Sequence, residues 1–330
     1  MIERDIDRAF LKDRSILVTG GTGSFGRHLI DALLELTDIA RIIVFSRDEL
    51  KQHEMHEHYG EQPRLRYFIG DVRDRDRLLR ALDGVDVVVH AAALKQIPAA
   101  EYNPFEFVKT NVLGAQNLID AAIDRGVRNV LALSTDKASS PVNLYGATKL
   151  VSDRLFVAGN AYSGAKPTRF SVVRYGNVAA SRGSVIAKLR SLAPGDEFRL
   201  TDQRMTRFWI TLDQAVRFVL ASLIEMRGGE IFVPKLPSMK LTDLVSALAP
   251  DVKIRTVGIR PGEKLHEEMI SVDEARHTVD RGDHFTILPE IEWTHQERLE
   301  GDVLPEGYRY SSDSNDDWLD ADRLRVLLNE

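Results

Sequence analysis

Ser15-Ile16-Leu17-Val18-Thr19-Gly20-Gly21-Thr22-Gly23-Ser24-Phe25-Gly26 is the stretch on which the fold turns. Five residues suited to a strand run straight into glycines at 20, 23 and 26, and an amphipathic segment from Ser24 to Leu36 follows. Strand, tight turn and helix start put bare backbone N–H groups at a helix N-terminus, which is where a diphosphate binds. An ordinary glycine-rich turn is the alternative. Its place at the first strand-to-helix connection favours a dinucleotide. Gly20, Thr22, Gly23, Ser24, Phe25 and Gly26 are therefore candidate cofactor contacts.

Further strands are expected at Arg41 to Phe45, Leu65 to Ile69, Val85 to His90, Val127 to Ser134 and Thr168 to Arg174. Helical patterns separate them, among them one long helix from Pro104 to Arg125 with Gly126 as its stop. That alternation predicts an α/β fold, a Rossmann-type doubly wound parallel sheet. In such sheets ligands meet the C-terminal strand ends. Arg41 to Phe45 ends in Ser46-Arg47-Asp48, about twenty residues beyond the glycines, where an NAD enzyme usually has an acid for the ribose hydroxyls. A hydroxyl and a guanidinium suit a 2′-phosphate instead, so NADP is preferred over NAD, with Asp48 dissenting and Lys51 nearby as a further cation. Asp71, beside Val72, can accept from an adenine amino group or cap a helix from Arg73 onward. Ala91 and Ala92 let a cofactor lie close to backbone, and Lys95 stands at the lip of the same edge.

Composition narrows the classes. The chain has 330 residues, 43% hydrophobic and 28% charged, which suits a globular protein with a sizeable core. A formal charge of −6 and no basic stripe give no sign of nucleic acid. With no cysteine, disulfides and thiolate catalysis are excluded, and a reducing, cytoplasmic setting is expected. Met1 to Arg14 lacks a signal-peptide core, and no apolar run approaches the roughly 18 residues of a membrane span. His53, His56 and His58 form a poor metal site in a charged helical run, so no metal is expected.

Beyond residue 177 the rhythm changes, and the division expected is 1–177 for the dinucleotide domain and 178–330 mainly for a substrate lobe with segments returning to the sheet. Ser181 to Val185 is a polar glycine loop, Thr201 to Trp209 is dense in arginine, and Arg260-Pro261-Gly262-Glu263-Lys264 closes the set. Trp318 and Leu324 to Leu328 suggest that the acidic tail docks.

A second chemical window is Ser134-Thr135-Asp136-Lys137 through Tyr145-Gly146-Ala147-Thr148-Lys149. The i, i+4 spacing of Tyr145 and Lys149 places both on one helix face. With the glycine loop and Asn177 these residues resemble the extended short-chain dehydrogenase/reductases. Thr135 to Ala138, Asn143 to Lys149, Val173 to Val178, Arg204 to Ile210 and Arg260 to Glu267 together resemble the inverting UDP-N-acetylglucosamine 4,6-dehydratases. The configuration-retaining dehydratases tend to carry methionine where Tyr145 stands and are often membrane-anchored.

That resemblance implies a lyase acting on UDP-N-acetylglucosamine with a tightly bound NADP regenerated each turnover, and a homo-oligomer, hexamer or dimer. C4 oxidation makes the C5 hydrogen acidic; water then leaves across C5–C6, hydride returns to C6 and C5 inverts. Tyr145 is the expected base for the 4-hydroxyl. A free phenol, with a pKa of about 10, is neutral at pH 7, so Lys149 and the nicotinamide cation are expected to favour the phenolate, with Thr135 donating to the same oxygen. Asp136, kept protonated, is expected to serve the leaving 6-hydroxyl. Lys137, its pKa lowered by burial and cations, is expected to take the C5 proton. A packing tyrosine, an N-cap aspartate and a solvated lysine are the plainer readings. Val178 completes the cofactor set. For substrate, guanidinium forks match phosphates, which makes Arg182, Arg204, Arg207 and Arg260 candidates, with Gly183, Ser184, Val185, Thr201, Met205, Lys95, Asn177 and Glu263 beside them. Each arginine can equally be a surface ion-pair residue. A sugar-nucleotide 4-epimerase needs Tyr145 and Lys149 but not Asp136-Lys137, and a silent nucleotide-binding regulator needs none of these four.

Overall fold

The computed structural model describes residues 8–179, 184–290 and 301–328. Strands β1 (Ser15–Thr19), β2 (Arg41–Ser46), β3 (Leu65–Ile69), β4 (Val87–His90), β5 (Asn129–Thr135) and β6 (Arg169–Tyr175) lie parallel in the order β3-β2-β1-β4-β5-β6. Their apolar runs are nearly continuous because helices cover both faces of a parallel sheet; all five residues of β1 are buried. The order reverses between β1 and β4, which opens a crevice at their C-terminal ends. Ile231–Pro234 adds a parallel strand beside β6, and His284–Ile287, Thr278–Asp280 and Asp302–Val303 extend the sheet antiparallel.

Seven helices serve this part: α1 (Ser24–Leu36), α2 (Glu49–Tyr59), α3 (Arg75–Ala81), α4 (Ile97–Tyr102), α5 (Pro104–Phe107), α6 (Gly114–Arg125) and α7 (Leu144–Tyr162). α1 buries Leu29, Ile30 and Leu33 on one face, each contributing about 1.5–3 kcal/mol. The single helix expected from Pro104 to Arg125 is instead two, joined by a π-helical turn over Val108–Leu113. Asn111 gives the reason. Its side chain accepts from Leu94 N and donates to Leu94 O, both at 2.9 Å, and donates to Thr148 Oγ1 at 3.0 Å. Buried polar ties of this kind outweigh helical regularity, and such bulges favour functional sites. Gly126 ends α6 at φ 69°, the left-handed stop expected of it.

A second, smaller core contains Ile186, Leu189, Phe198, Trp209, Leu244 and Leu324. It sits under a three-stranded sheet of Ser238–Lys240, Thr206–Ile210 and Asn177–Val178. The tail docks there: Ser238 N donates to Asp317 O and Leu319 N to Ser238 O, both at 2.8 Å. Helix Leu212–Glu225 packs back onto the first core.

Candidate active site

A cleft of about 680 Å³ runs from the glycine turn to Tyr145. Gly23 caps α1 with no side-chain hydrogen bond, so the first N–H groups of the helix serve the cleft. Gly20 has φ +67°, and a Cβ there would lie 2.9 Å from the Ala91 carbonyl and Ala92 N; one at Gly26 would lie 2.5 Å from Gly21 Cα. Side chains would fill this cradle, so the turn fits a dinucleotide phosphate. Thr22, Ser24, Phe25, Ala91, Ala92, Lys95 and Val178 line the same cleft.

Ser46, Arg47, Lys51, Asp71 and Val72 line its outer end. Ser46 Oγ lies 2.8 Å from Thr22 Oγ1. Asp48 caps α2 through Lys51 N and pairs with the Lys51 amine, bonds that lower its pKa. Asp71 lines the cleft while bonded to Arg73, and it is not the cap of the next helix. Burial pushes its pKa up, but the Arg73 bonds win and lower it, and Arg47 adds an ion pair at 3.5 Å. The helix begins at Arg75 and is capped by Asp74, which corrects the expected start at Arg73.

Across the cleft, β5 delivers Thr135 into a 3₁₀ turn, Asp136–Ala138, and α7 begins at Leu144 under the Asn143 cap. A Cβ at Gly146 would stand 2.2 Å from Lys137 O, so glycine is what lets α7 rest on that turn. Tyr145 and Lys149 consequently share a buried face of α7 beside the half-buried Thr135. The electrostatics differ from expectation. Burial pushes the Tyr145 phenol up to about 12, while Lys137 and a Thr135 hydrogen bond pull against it. Lys149 turns its amine onto Leu133 O at 2.7 Å, and burial lowers its pKa against the opposing charge of Asp153. Asp153 in turn accepts from Ser134 Oγ at 2.7 Å and pairs with the fully buried Arg174 at 3.5 Å.

Lys137 departs furthest. Burial alone would discharge it, but Asp136 Oδ1 at 3.0 Å and Glu267 Oε1 at 3.3 Å outweigh burial and raise its pKa. It rests as an ammonium, not the lowered base expected. Asp136 is raised, first by burial and then by Glu267, against Lys137 and Thr135. Glu267 is the residue that sequence reasoning missed. It ends a stretch quoted for family likeness, yet its partners come from distant segments, including Arg207 Nε at 3.6 Å. Thr110, Tyr175 and Trp209 also line the cleft unforeseen, and Thr110 Oγ1 and Trp209 Nε1 are buried with no protein partner.

Of the expected substrate set, Lys95, Asn177, Ser184, Val185 and Arg207 line the cleft. Arg207, Asn177 and Lys137 also line a side cavity of about 190 Å³ with Glu263, Lys264 and Glu267. The Arg207 guanidinium is not a free phosphate fork: it donates to the carbonyls of Thr206, Leu265 and Lys264 at 2.6, 3.0 and 3.1 Å. Arg204, with its side chain 68% exposed, is clamped on Asp202, and neither it nor Arg260 lines either cavity. Thr201 and Met205 are buried outside the linings, Met205 within the second core. Arg182 and Gly183, like Met1 to Asp7, lie outside the described residues. Among the described residues no cluster of three metal-ligating side chains occurs, and no helix is long and apolar enough to cross a membrane.

The sheet order, the glycine cradle and the paired Tyr145 and Lys149 define a short-chain dehydrogenase/reductase of the extended kind. The polysaccharide biosynthesis protein family matches residues 16–289, and the chain belongs to that family. Within it, the inverting UDP-N-acetylglucosamine 4,6-dehydratase of Campylobacter jejuni is 52% identical over 96% of this chain and 97% of its own. A UDP-glucose 4-epimerase of Rickettsia canadensis is 42% identical over 83% of each chain. Among solved structures, Pen from Bacillus thuringiensis superposes with a TM-score of 0.89 at 35% identity, covering 97% of this chain and 98% of that one. DesIV from Streptomyces venezuelae, a dTDP-glucose 4,6-dehydratase solved with NAD, has a TM-score of 0.67 at 27% identity, covering 76% and 86%.

Proposed function

We propose that this protein converts UDP-N-acetylglucosamine into a UDP-linked 4-keto-6-deoxy-hexosamine, losing water across C5–C6 and inverting C5. The observation that carries this reading is the pair of a buried Asp136 and a half-buried Lys137 beside Tyr145 in the cofactor cleft. The glycine cradle would hold a nicotinamide dinucleotide, whose chemistry there would be that of a reversible hydride acceptor. NADP is our choice, because Ser46 and Arg47 line the ribose end and Asp48, the residue that would repel a phosphate, is committed to α2 and Lys51.

Tyr145 takes the proton of the 4-hydroxyl through its small phenolate fraction, because burial keeps the phenol mostly neutral; Thr135 stands beside it with its own hydroxyl given to Asp136 Oδ1. Asp136, its pKa raised by burial and Glu267, holds the proton that the departing 6-hydroxyl needs. Lys137 works at C5. Because it rests charged, it accepts a proton only through its small free-amine fraction, and it is well placed to return one. Asn177, Ser184 and Val185 would hold the sugar nucleotide, and Glu263 its ribose. The second core then forms the substrate lobe. Exposed Tyr102, Phe105, Val151 and Tyr162 on α4, α5 and α7 suit a homo-oligomer, dimer or hexamer. The cysteine-free chain suits the cytoplasm.

The Rickettsia relative favours a second reading, 4-epimerisation. That reaction has no use for a proton donor at C6. Incubation with UDP-N-acetylglucosamine separates the two: mass spectrometry shows loss of water for a dehydratase, and an unchanged mass with a new C4 epimer for an epimerase.

A further inference from the structure

Two carboxylates compete for the Lys137 amine, and the mechanism just given uses one of them. Asp136 Oδ1 already accepts from Thr135 Oγ1 at 2.8 Å and Lys137 Nζ at 3.0 Å, while Asp136 Oδ2 is buried without any protein donor. Glu267, 3% exposed, faces Lys137 Nζ at 3.3 Å and Arg207 Nε at 3.6 Å. The geometry points to Glu267 as a positioning residue that decides which carboxyl carries a proton: Glu267 stays ionised between two cations, and Asp136 keeps a hydrogen on Oδ2, ready for the leaving hydroxyl. This role rests on the dehydratase reading for its use, though not for its existence.

Charge bookkeeping supports the assignment. Asp136 is faced by Thr135 and Lys137 of its own turn, by Tyr145 from α7, by Glu267 from the lobe and, more weakly, by Lys264. Glu267 is faced by Lys137, Arg207 and Lys264. Burial pushes both carboxyls up. For Glu267 the three cations outweigh burial, and its pKa falls; for Asp136, Lys137 does not, partly because Glu267 adds its own negative charge. Neutralising Glu267 would remove the anion beside Lys137 and leave the Asp136 carboxyl as the one group able to balance its charge. Asp136 would then ionise, and the acid for C6 would be lost.

Infrared titration of the sugar-free protein reads this directly. A buried carboxylic-acid carbonyl band, identified by its loss in Asp136→Asn, should persist above the usual carboxylate range. In Glu267→Gln its midpoint should fall by about one pH unit or more, a tenfold change in proton affinity, and Glu267→Asp should bring it back. In turnover, Glu267→Gln should form product about 100-fold more slowly while still reducing the bound cofactor on adding sugar nucleotide, with KM little changed. An unchanged band midpoint in Glu267→Gln, or no band attributable to Asp136, overturns the inference. Parallel loss of cofactor reduction and product without rescue by aspartate would mark a merely structural residue and overturn it as well. Wild-type protein forming no 4-keto product would instead overturn the dehydratase reading, and the infrared result would stand apart from it.

Discussion

The cradle at β1–α1 and the charged cluster around Lys137 face the same cleft but are built by opposite means. The cradle is backbone: a left-handed glycine, an uncapped helix end and an absence of Cβ atoms. The cluster is side chain: an ammonium held between two buried carboxyl groups. Two lysines in one short window, Lys149 buried and Lys137 half-buried, show the consequence. Lys149, set on a carbonyl, has its pKa lowered, whereas Lys137, set between Asp136 and Glu267, has its pKa raised. Burial acts alike on both, and the partners decide the sign.

If the two regions do separate chemistry, their variants should fail separately. Tyr145→Phe should cost about 10²–10⁴-fold in both cofactor reduction and product formation, while Lys137→Met should lose product to a similar degree and leave cofactor reduction in place. Stopped-flow absorbance with product NMR distinguishes them; a Lys137→Met protein that also fails to reduce cofactor would merge the regions.

A smaller effect tests the backbone side. Gly20→Ala forces a positive φ on a residue with a Cβ pressed against Ala91, a strain of about 1–3 kcal/mol. Calorimetric titration should show dinucleotide affinity reduced about 10–100-fold, with the infrared band of Asp136 unmoved.

Beneath the cradle, His90 is buried against Thr19 Oγ1 at 2.8 Å, and burial pushes its pKa down to about 3, with Lys149 adding. The unfolded chain takes up that proton near pH 6.5 and the folded chain does not. Stability is therefore lost as pH falls from about 6.5 toward 3, by up to about 1.4 kcal/mol per pH unit from this group. Denaturation of His90→Gln across that window should show the shallower slope.

The smallest effect is expected at Arg204. Clamped on Asp202 and outside both cavities, Arg204→Ala should change stability by less than about 0.5 kcal/mol and KM by less than about threefold. A large rise in KM would bring the arginine back to the substrate.

The contrast also explains what could be read from the chain alone. Gly20, Gly23 and Gly26 announce the cradle because strand, turn and helix are adjacent in sequence, and α1 occupies the span read for it, Ser24–Leu36. Tyr145 and Lys149 are legible for the same reason, since helical spacing puts them on one face. The charged cluster is not local. Glu267 reaches Lys137 only because Thr206 bridges to His266 and Glu268–Ile270 pairs with Tyr310–Ser311. Charge signs around Lys137 follow from that tertiary placement, so nearby sequence suggested cations where the fold put carboxylates. Asn111 is similar: its ties to Leu94 and Thr148 break a helix whose sequence pattern is continuous. Arg204 and Arg207 stand in one motif, yet the turn before Thr206–Ile210 sends one to solvent and the other inward.

If one cleft oxidises at C4 and then eliminates through Asp136 and Lys137, the product carries the record of both steps. NMR of UDP-N-acetylglucosamine turned over in deuterated water reads that record. The expected product is a 4-keto-6-deoxy sugar nucleotide with one solvent deuterium at C5 and inverted C5 configuration, formed by wild-type protein and not by Lys137→Met. A product that keeps its 6-hydroxyl, or one that carries protium at C5, would contradict that two-step chemistry.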